Sequence, residues 1–366
     1  MDERFISFVC LLFTMEFQKY RTMHFPRDVY IGHDVLNRVL DVVDQNSRTR
    51  DVIIVTGNTT YELAGKKIVE ILASSPYEVH LSFAGEANYE NLKKIEEETN
   101  DVNAGIIIGV GGGTKIDLAK KLAYDKNLPF ISIPTSPSHD GIASPRASLR
   151  RNGISYSEEG AMPIGVIADT SVMIKAPYRY LAAGAADVIS NISAVKDWKL
   201  AHRLRGEEFS SSAAAMSEYS AQEVISQVGE IRKYDESSVW LVTKNILASG
   251  TAMAIAGNSR PGSGSEHLFA HALEAAGVNN MLHGEMCAMG TIVSLYLHDD
   301  NWQKIRDVFE SLGVSVKARD YGLKEEVVIE ALRRAHAIRP ERYTILGESD
   351  MSYDAAVKAL ELTGII

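Results

Sequence analysis

The sequence predicts an α/β chain in two parts, a parallel-sheet half followed by an all-helical half. Three observations carry that expectation. Unbroken apolar runs such as Val52-Ile53-Ile54-Val55 and Gly105-Ile106-Ile107-Ile108-Gly109 alternate with helical segments as far as Ala168. Runs of that kind are strands buried on both faces, and their alternation with helices implies a parallel sheet with right-handed crossovers. From Tyr178 onward the chain is alanine-rich and reads as helix almost throughout. The length of 366 residues exceeds what one compact core usually holds, so two domains are expected, at 25–175 and 176–366.

In order, strands are expected at 28–31, 52–55, 79–83, 105–109, 129–133 and 164–168. Helices are expected between them at 34–43, from the Thr56-Gly57-Asn58 turn to Leu72, at 88–98 and at 118–124. Further helices are expected at 178–203, 210–227, 239–256, 266–276, 284–297, 303–312 and 325–337. Residues 1–24 stand apart as an extension. Its apolar run 5–13 is too short to span a bilayer, and Asp2 and Glu3 stand where a signal peptide wants positive charge. Either translation begins at Met15 or Met23, or the segment packs on the body as an amphipathic piece.

The formal net charge of −10 argues against a nucleic-acid surface and suits a chain handling small molecules. Cys10 and Cys287 are too few for a disulfide framework, which favours a reducing, cytoplasmic setting without membrane insertion.

Two loops stand at the C-terminal ends of strands, where open parallel sheets bind ligands. The first is Gly109-Val110-Gly111-Gly112-Gly113-Thr114-Lys115-Ile116-Asp117. Consecutive glycines let a backbone approach a diphosphate, and a following helix points N–H groups at it. The spacing is not Gly-x-Gly-x-x-Gly, and a tight strand-to-helix turn is the competing reading. The second loop, Pro134 to Pro145, gathers hydroxyls and small residues around Asp140.

The helical half holds the other candidates. His267 and His271 lie four apart, on one face of a helix, and His283 follows a Gly/Asn-containing break. Imidazoles converging in this way suit zinc with an open coordination position, and an ordinary core or surface pair is the competing reading. Asp187 sits among small apolar residues in Gly184-Ala185-Ala186-Asp187-Val188-Ile189, where a carboxylate must be paired, neutral or bound to metal. Arg260, in a polar glycine-rich loop ahead of His267, reads either as a phosphate partner or as a surface residue.

The segments Gly111 to Asp117, Asp140 to Pro145 and Gly264-Ser265-Glu266-His267 together resemble the archaeal sn-glycerol-1-phosphate dehydrogenases. That family belongs with the iron-type alcohol dehydrogenases, glycerol dehydrogenases and dehydroquinate synthases, and the resemblance spans about residues 25 to 366. It implies a dehydroquinate synthase-like fold with the active site between a dinucleotide-binding domain and a helical metal-binding domain. It implies Asp187, His267 and His283 as ligands of one Zn2+ per subunit, and Asp140, Asp187 and His271 facing the substrate. It implies Gly111, Gly112, Gly113, Thr114, Lys115, Ile116, Asp117, Thr135, Ser136, Pro137, Ser138 and Ser144 around NAD(H) or NADP(H). The implied reaction is reduction of dihydroxyacetone phosphate to sn-glycerol 1-phosphate, which supplies the backbone of archaeal membrane lipids, in a homo-oligomer. Glycerol dehydrogenase activity is the alternative. Iron-type alcohol dehydrogenases carry a further His ligand four residues after the metal Asp, where this chain has Asn191, so three protein ligands are expected. His139 stands where the family would have Asn.

Overall fold

The computed structural model describes residues 22–151 and 154–366. The apolar run 5–13, Cys10 and Met15 lie outside the described residues. Six parallel strands form the sheet: β1 (Asp28–Gly32), β2 (Asp51–Thr56), β3 (Glu78–Phe83), β4 (Ala104–Gly111), β5 (Phe130–Pro134) and β8 (Gly165–Asp169). Their spatial order is β1-β8-β5-β4-β2-β3. The connections carry α1 (Arg38–Asn46), α2 (Lys66–Ala73), α3 (Tyr89–Glu98) and α4 (Gly113–Asp125).

The two-residue period of a strand sorts the core. Val52 and Ile54 of β2, with Ile106, Ile108 and Val110 of β4, face a cluster completed by Val39, Val43, Ile68 and Leu72 from α1 and α2. Ile53, Val55 and Ile107 face the other way, into a cluster that continues through Phe130 to Leu181, Ile189, Val242 and Ile246 of the helical half. One continuous apolar core therefore joins the sheet to the helices.

Those helices are α5 (Tyr178–Arg205), α6 (Ser211–Ser226), α7 (Glu236–Ala256), α8 (Ser265–Ala275), α9 (His283–Leu297), α10 (Trp302–Leu312), α11 (Glu325–Arg334) and α12 (Tyr353–Thr363). By length and apolarity α7 resembles a membrane span, but 72% of its apolar window is buried, as a core helix requires. Its start is set by a capping box, in which the Asp235 carboxylate accepts from the Ser238 amide at 2.9 Å.

The structure differs from the sequence expectation in four places. An antiparallel hairpin, β6 (Arg146–Arg151) and β7 (Ile154–Glu159), follows the second loop, and α12 closes the chain. The first helix starts at Arg38 because Asp34 adopts φ 53°, which no helix accommodates. Helix α4 starts at Gly113, five residues earlier than expected, so the glycines form its N-terminus.

Candidate active site

The ends of β4 and β5 are paired, Gly111 opposite Pro134, and the Thr135 amide donates to the Gly111 carbonyl at 3.0 Å. The two loops expected to hold ligands therefore open side by side. A Cβ on Gly113 would fall 1.6 Å from His139 Nε2, so the second loop folds directly onto the N-terminus of α4. A Cβ on Gly112 would meet only Ser136 Oγ, at 3.7 Å, which leaves that backbone face open to a diphosphate.

The side chains after the glycines are used differently. Thr114 is exposed and Ile116 is fully buried. Lys115 donates to the Gly85 carbonyl. Both oxygens of Asp117 are engaged inward, one 3.2 Å from Lys120 Nζ and one accepting from the Ser148 amide at 3.2 Å. Fully buried Lys120 also donates to the carbonyls of Arg146, at 2.7 Å, and Gly141, tying α4 to the hairpin and to the Asp140 turn. Thr135, Ser136, Pro137 and Ser144 are buried, and Ser138 is half-buried with its hydroxyl 3.5 Å from that of Ser136.

Close approach by glycine also places Asp187 and His283. A Cβ on Gly184 would lie 1.8 Å from the Pro137 carbonyl oxygen, so only glycine lets α5 dock on the second loop. A Cβ on Gly284 would lie 1.9 Å from the Ala183 carbonyl oxygen, so the start of α9 rests on α5. These contacts set Asp187 between the loop and the histidines. Its Oδ2 accepts from the Asp140 amide at 2.9 Å. Its Oδ1 is buried without a hydrogen bond, 3.7 Å from His267 Nε2 and 3.9 Å from His283 Nε2.

The rings of His267, His271 and His283 lie 4.9 to 6.2 Å apart between centroids. Each Nδ1 has a carboxylate neighbour. His267 pairs with Glu266 at 2.9 Å and His271 with Glu274 at 3.0 Å, while His283 Nδ1 stands 3.8 Å from Glu274. Carboxylates so placed fix the tautomer and turn Nε2 of His267 and His283 toward Asp187. Asp187, His267, His283 and Cys287 hold their donor atoms within 4.8 Å of one another. An orphaned, buried carboxylate oxygen facing two imidazole nitrogens fits a divalent metal by donor type and by need of charge.

Without metal, burial is the main force on the cluster. Burial and the neighbouring imidazoles hold His267 well below its usual pKa, and burial lowers His271. Burial also opposes charge on His283, but the Cys287 sulfur as a hydrogen-bond neighbour at 3.5 Å, with Glu274 and the Asp187 charge, outweighs it and holds that imidazole well above its ordinary range. Burial, then the Asp187 charge, pushes Asp140 up to about 7, and burial pushes Cys287 up to about 12. Asp140 Oδ2 accepts from Ser249 Oγ at 3.0 Å, and Ser249 in turn accepts from the Asn191 amide at 3.1 Å.

Glu274, Cys287 and Ser249 were not singled out in the sequence, and Glu266 appeared there only as part of a motif. The signal available for Glu274 and Cys287 was helical spacing, three residues after His271 and four after His283. Arg260 is neither a free phosphate partner nor a surface residue. It is buried and ion-paired to Glu207, and it donates to the Tyr343 carbonyl at 2.9 Å.

A glycine-rich strand-to-helix loop facing a cluster of histidines and aspartates has the layout of a dinucleotide oxidoreductase with a candidate metal site, and residues 30–177 match the family described as iron-containing alcohol dehydrogenase. The chain is 79% identical over 352 residues to a glycerol-1-phosphate dehydrogenase [NAD(P)+] of Thermoplasma acidophilum, covering 96% of this chain and 100% of the relative. It is 55% identical to the enzyme of that name from Picrophilus torridus, with the same coverage of 96% and 100%. The chain belongs to the glycerol-1-phosphate dehydrogenase family. Its fold also superposes on the glycerol dehydrogenase of Schizosaccharomyces pombe with a TM-score of 0.78 at 21% identity, covering 95% of this chain and 91% of that one.

Proposed function

We propose that this chain carries out the reversible, NAD(P)-linked reduction of dihydroxyacetone phosphate to sn-glycerol 1-phosphate, in support of archaeal membrane lipid synthesis. The observation that carries this reading is the orphaned Asp187 oxygen between two imidazoles, beside the open backbone at Gly112. Relatives that match 96% of the chain bear the name of that activity.

Residues 25–175 act as the cofactor domain and 176–366 as the metal domain, in a cytoplasmic homo-oligomer. Asp187, His267 and His283 hold one zinc ion, with Cys287 at the edge of the donor set. When bound, zinc supplies Lewis-acid polarisation of a carbonyl, and the nicotinamide supplies hydride. Glu266 and Glu274 orient the imidazoles through Nδ1. His271, paired with Glu274 and not needed as a ligand, is placed to relay the proton that the product hydroxyl requires. Ser249 orients the Asp140 carboxyl toward the substrate. Strand β2 ends in Thr56-Gly57-Asn58 without an acidic residue to repel a 2′-phosphate, so both NADH and NADPH serve.

The test is NADH oxidation with dihydroxyacetone phosphate, followed by chiral analysis of the product. Formation of sn-glycerol 1-phosphate, lost with a chelator and restored by zinc, is the expected result. Full activity after complete metal removal sinks the zinc role, and activity confined to unphosphorylated glycerol assigns the chain to glycerol dehydrogenation.

A further inference from the structure

Two guanidinium groups beside the histidine cluster form no ion pair with a carboxylate among the described residues. Arginine removed from water is ordinarily paired, because an uncompensated buried charge is costly. Arg260, which is buried, follows that rule with Glu207. Arg342 instead donates to neutral acceptors, the Ser263 carbonyl at 2.6 Å and Ser259 Oγ at 2.8 Å. The guanidinium of half-buried Arg339 makes no hydrogen bond or ion pair among the described residues, although the Glu341 charge acts on it from a distance.

Both arginines border the active site. Arg339 follows the single turn Ala335–Ile338, which packs on α8, the helix of His267 and His271. Arg342 grips the loop Ser259 to Ser263, and within that loop a Cβ on Gly262 would lie 3.1 Å from Asp140 Oδ2. Beyond the effects of burial and of the other imidazoles, the charges of both arginines act on His267. Burial, then the mutual repulsion with Arg339, lowers the Arg342 guanidinium to about 9. Arg146, whose side chain donates to Ser157 Oγ at 3.1 Å, adds positive potential at Arg339. Glu341 acts on Arg339, and Glu266 and Glu207 act on Arg342, but none of them reaches ion-pair distance, so a chain of net charge −10 places two guanidinium groups without a direct counter-ion beside its histidine cluster.

We infer that Arg339 and Arg342 form the anion seat of the active site and take the phosphate of the substrate, selecting a phosphorylated triose over its unphosphorylated counterpart. This rests on the function proposed above. Guanidinium donors match phosphate oxygens in pairs, and a phosphate dianion supplies the missing counter-charge. Held there, the phosphate fixes which end of a three-carbon substrate lies beside Asp140 and His271, so remote binding energy positions the carbonyl.

The experiment uses the zinc-loaded, NADH-bound enzyme as wild type, Arg339→Gln, Arg339→Lys and Arg342→Lys, each checked by thermal melting. Inorganic phosphate is titrated by calorimetry, and kcat/KM is measured for dihydroxyacetone phosphate and for dihydroxyacetone. Arg339→Gln is expected to weaken phosphate binding, and to lower the kcat/KM ratio of phosphorylated over unphosphorylated substrate, by about tenfold or more. Arg339→Lys should recover part of both losses. Unchanged phosphate binding, or an equal loss on both substrates, overturns the seat. A loss of NADPH affinity relative to NADH also overturns it, because the arginines would then serve the cofactor's 2′-phosphate. A wild-type enzyme inactive on dihydroxyacetone phosphate overturns the proposed function, whereas the calorimetric comparison judges the seat without any turnover.

Discussion

Asp187 Oδ1 lies 3.7 Å from His267 Nε2 and 3.9 Å from His283 Nε2, outside hydrogen-bond reach of both, and it is buried without a hydrogen bond among the described residues. The other oxygen is held by the Asp140 amide, so the carboxylate cannot rotate to satisfy both oxygens. An anion kept in this position costs several kcal/mol unless a cation shares it. Asp187→Asn should therefore lower zinc affinity by about a hundredfold, and because the metal-free chain also loses the charge that helps keep His283 protonated, its melting temperature should hold or fall. Zinc titration and calorimetric melting of the metal-free chain measure the two halves. A variant that binds zinc as tightly as wild type removes Asp187 from the ligand set.

The adjacent glycines of the first loop should respond in opposite ways. Gly112→Val places its side chain in open space beside Ser136, where the diphosphate must approach, so NADH affinity should fall while zinc binding and melting temperature hold. Gly113→Ala drives a methyl group into His139, so the loop itself must move and the melting temperature should fall. Adding His139→Asn to Gly113→Ala relieves that clash and should recover most of the stability. Equal losses in the single and double variants would show that His139 is not the obstacle.

The sheet was legible because its central strands are unbroken β-branched runs, and Val52 to Val55 or Ile106 to Ile108 fit no other environment. The hairpin was not, because Arg146 to Arg151 and Ile154 to Glu159 are too charged to resemble core strands. The histidine cluster was legible through the resemblance and through the four-residue spacing of His267 and His271, which helix geometry converts into one face, with His283 brought in by the next helix. The carboxylates behind them were harder to see, because helical spacing alone does not separate Glu274 on an imidazole from a solvated helix glutamate. Arg260 misled for the same reason. Its partner Glu207 lies 53 residues away, and only the fold brings them together.

Asn191 lies one helical turn after Asp187, fully buried, and its amide donates to Ser249, which in turn holds Asp140. It is thus placed to influence Asp140 through Ser249. Asn191→Ala and Ser249→Ala should each lower kcat by about tenfold, with zinc affinity unchanged, because both release the Asp140 carboxyl from its orientation. The double variant should lose no more than the worse single one, since the two residues form one chain of hydrogen bonds. Independent, additive losses would place Asn191 in a different role.

At high pH two tyrosines should govern part of the stability. Burial, then hydrogen bonds to Asp44 and Glu158, pushes Tyr77 and Tyr89 up to about 12 in the folded chain. The Tyr77 hydroxyl reaches Asp44 at 2.8 Å beside the start of β3, and Tyr89 ties the start of α3 to Glu158 of the hairpin. In the unfolded chain both phenols titrate near about 10. Between those values the unfolded state has lost protons that the folded state keeps, so the unfolded state binds fewer and stability falls as pH rises. Below about pH 10 both states are protonated and the contribution is fully present. The Tyr77→Phe/Tyr89→Phe variant lacks these protons, so its stability should fall less steeply between about pH 10 and 12 than that of wild type. Denaturant unfolding across that range, followed by circular dichroism, gives both slopes. Parallel curves would mean that the two phenols titrate alike in both states, and that their hydrogen bonds to Asp44 and Glu158 do not hold the protons in place.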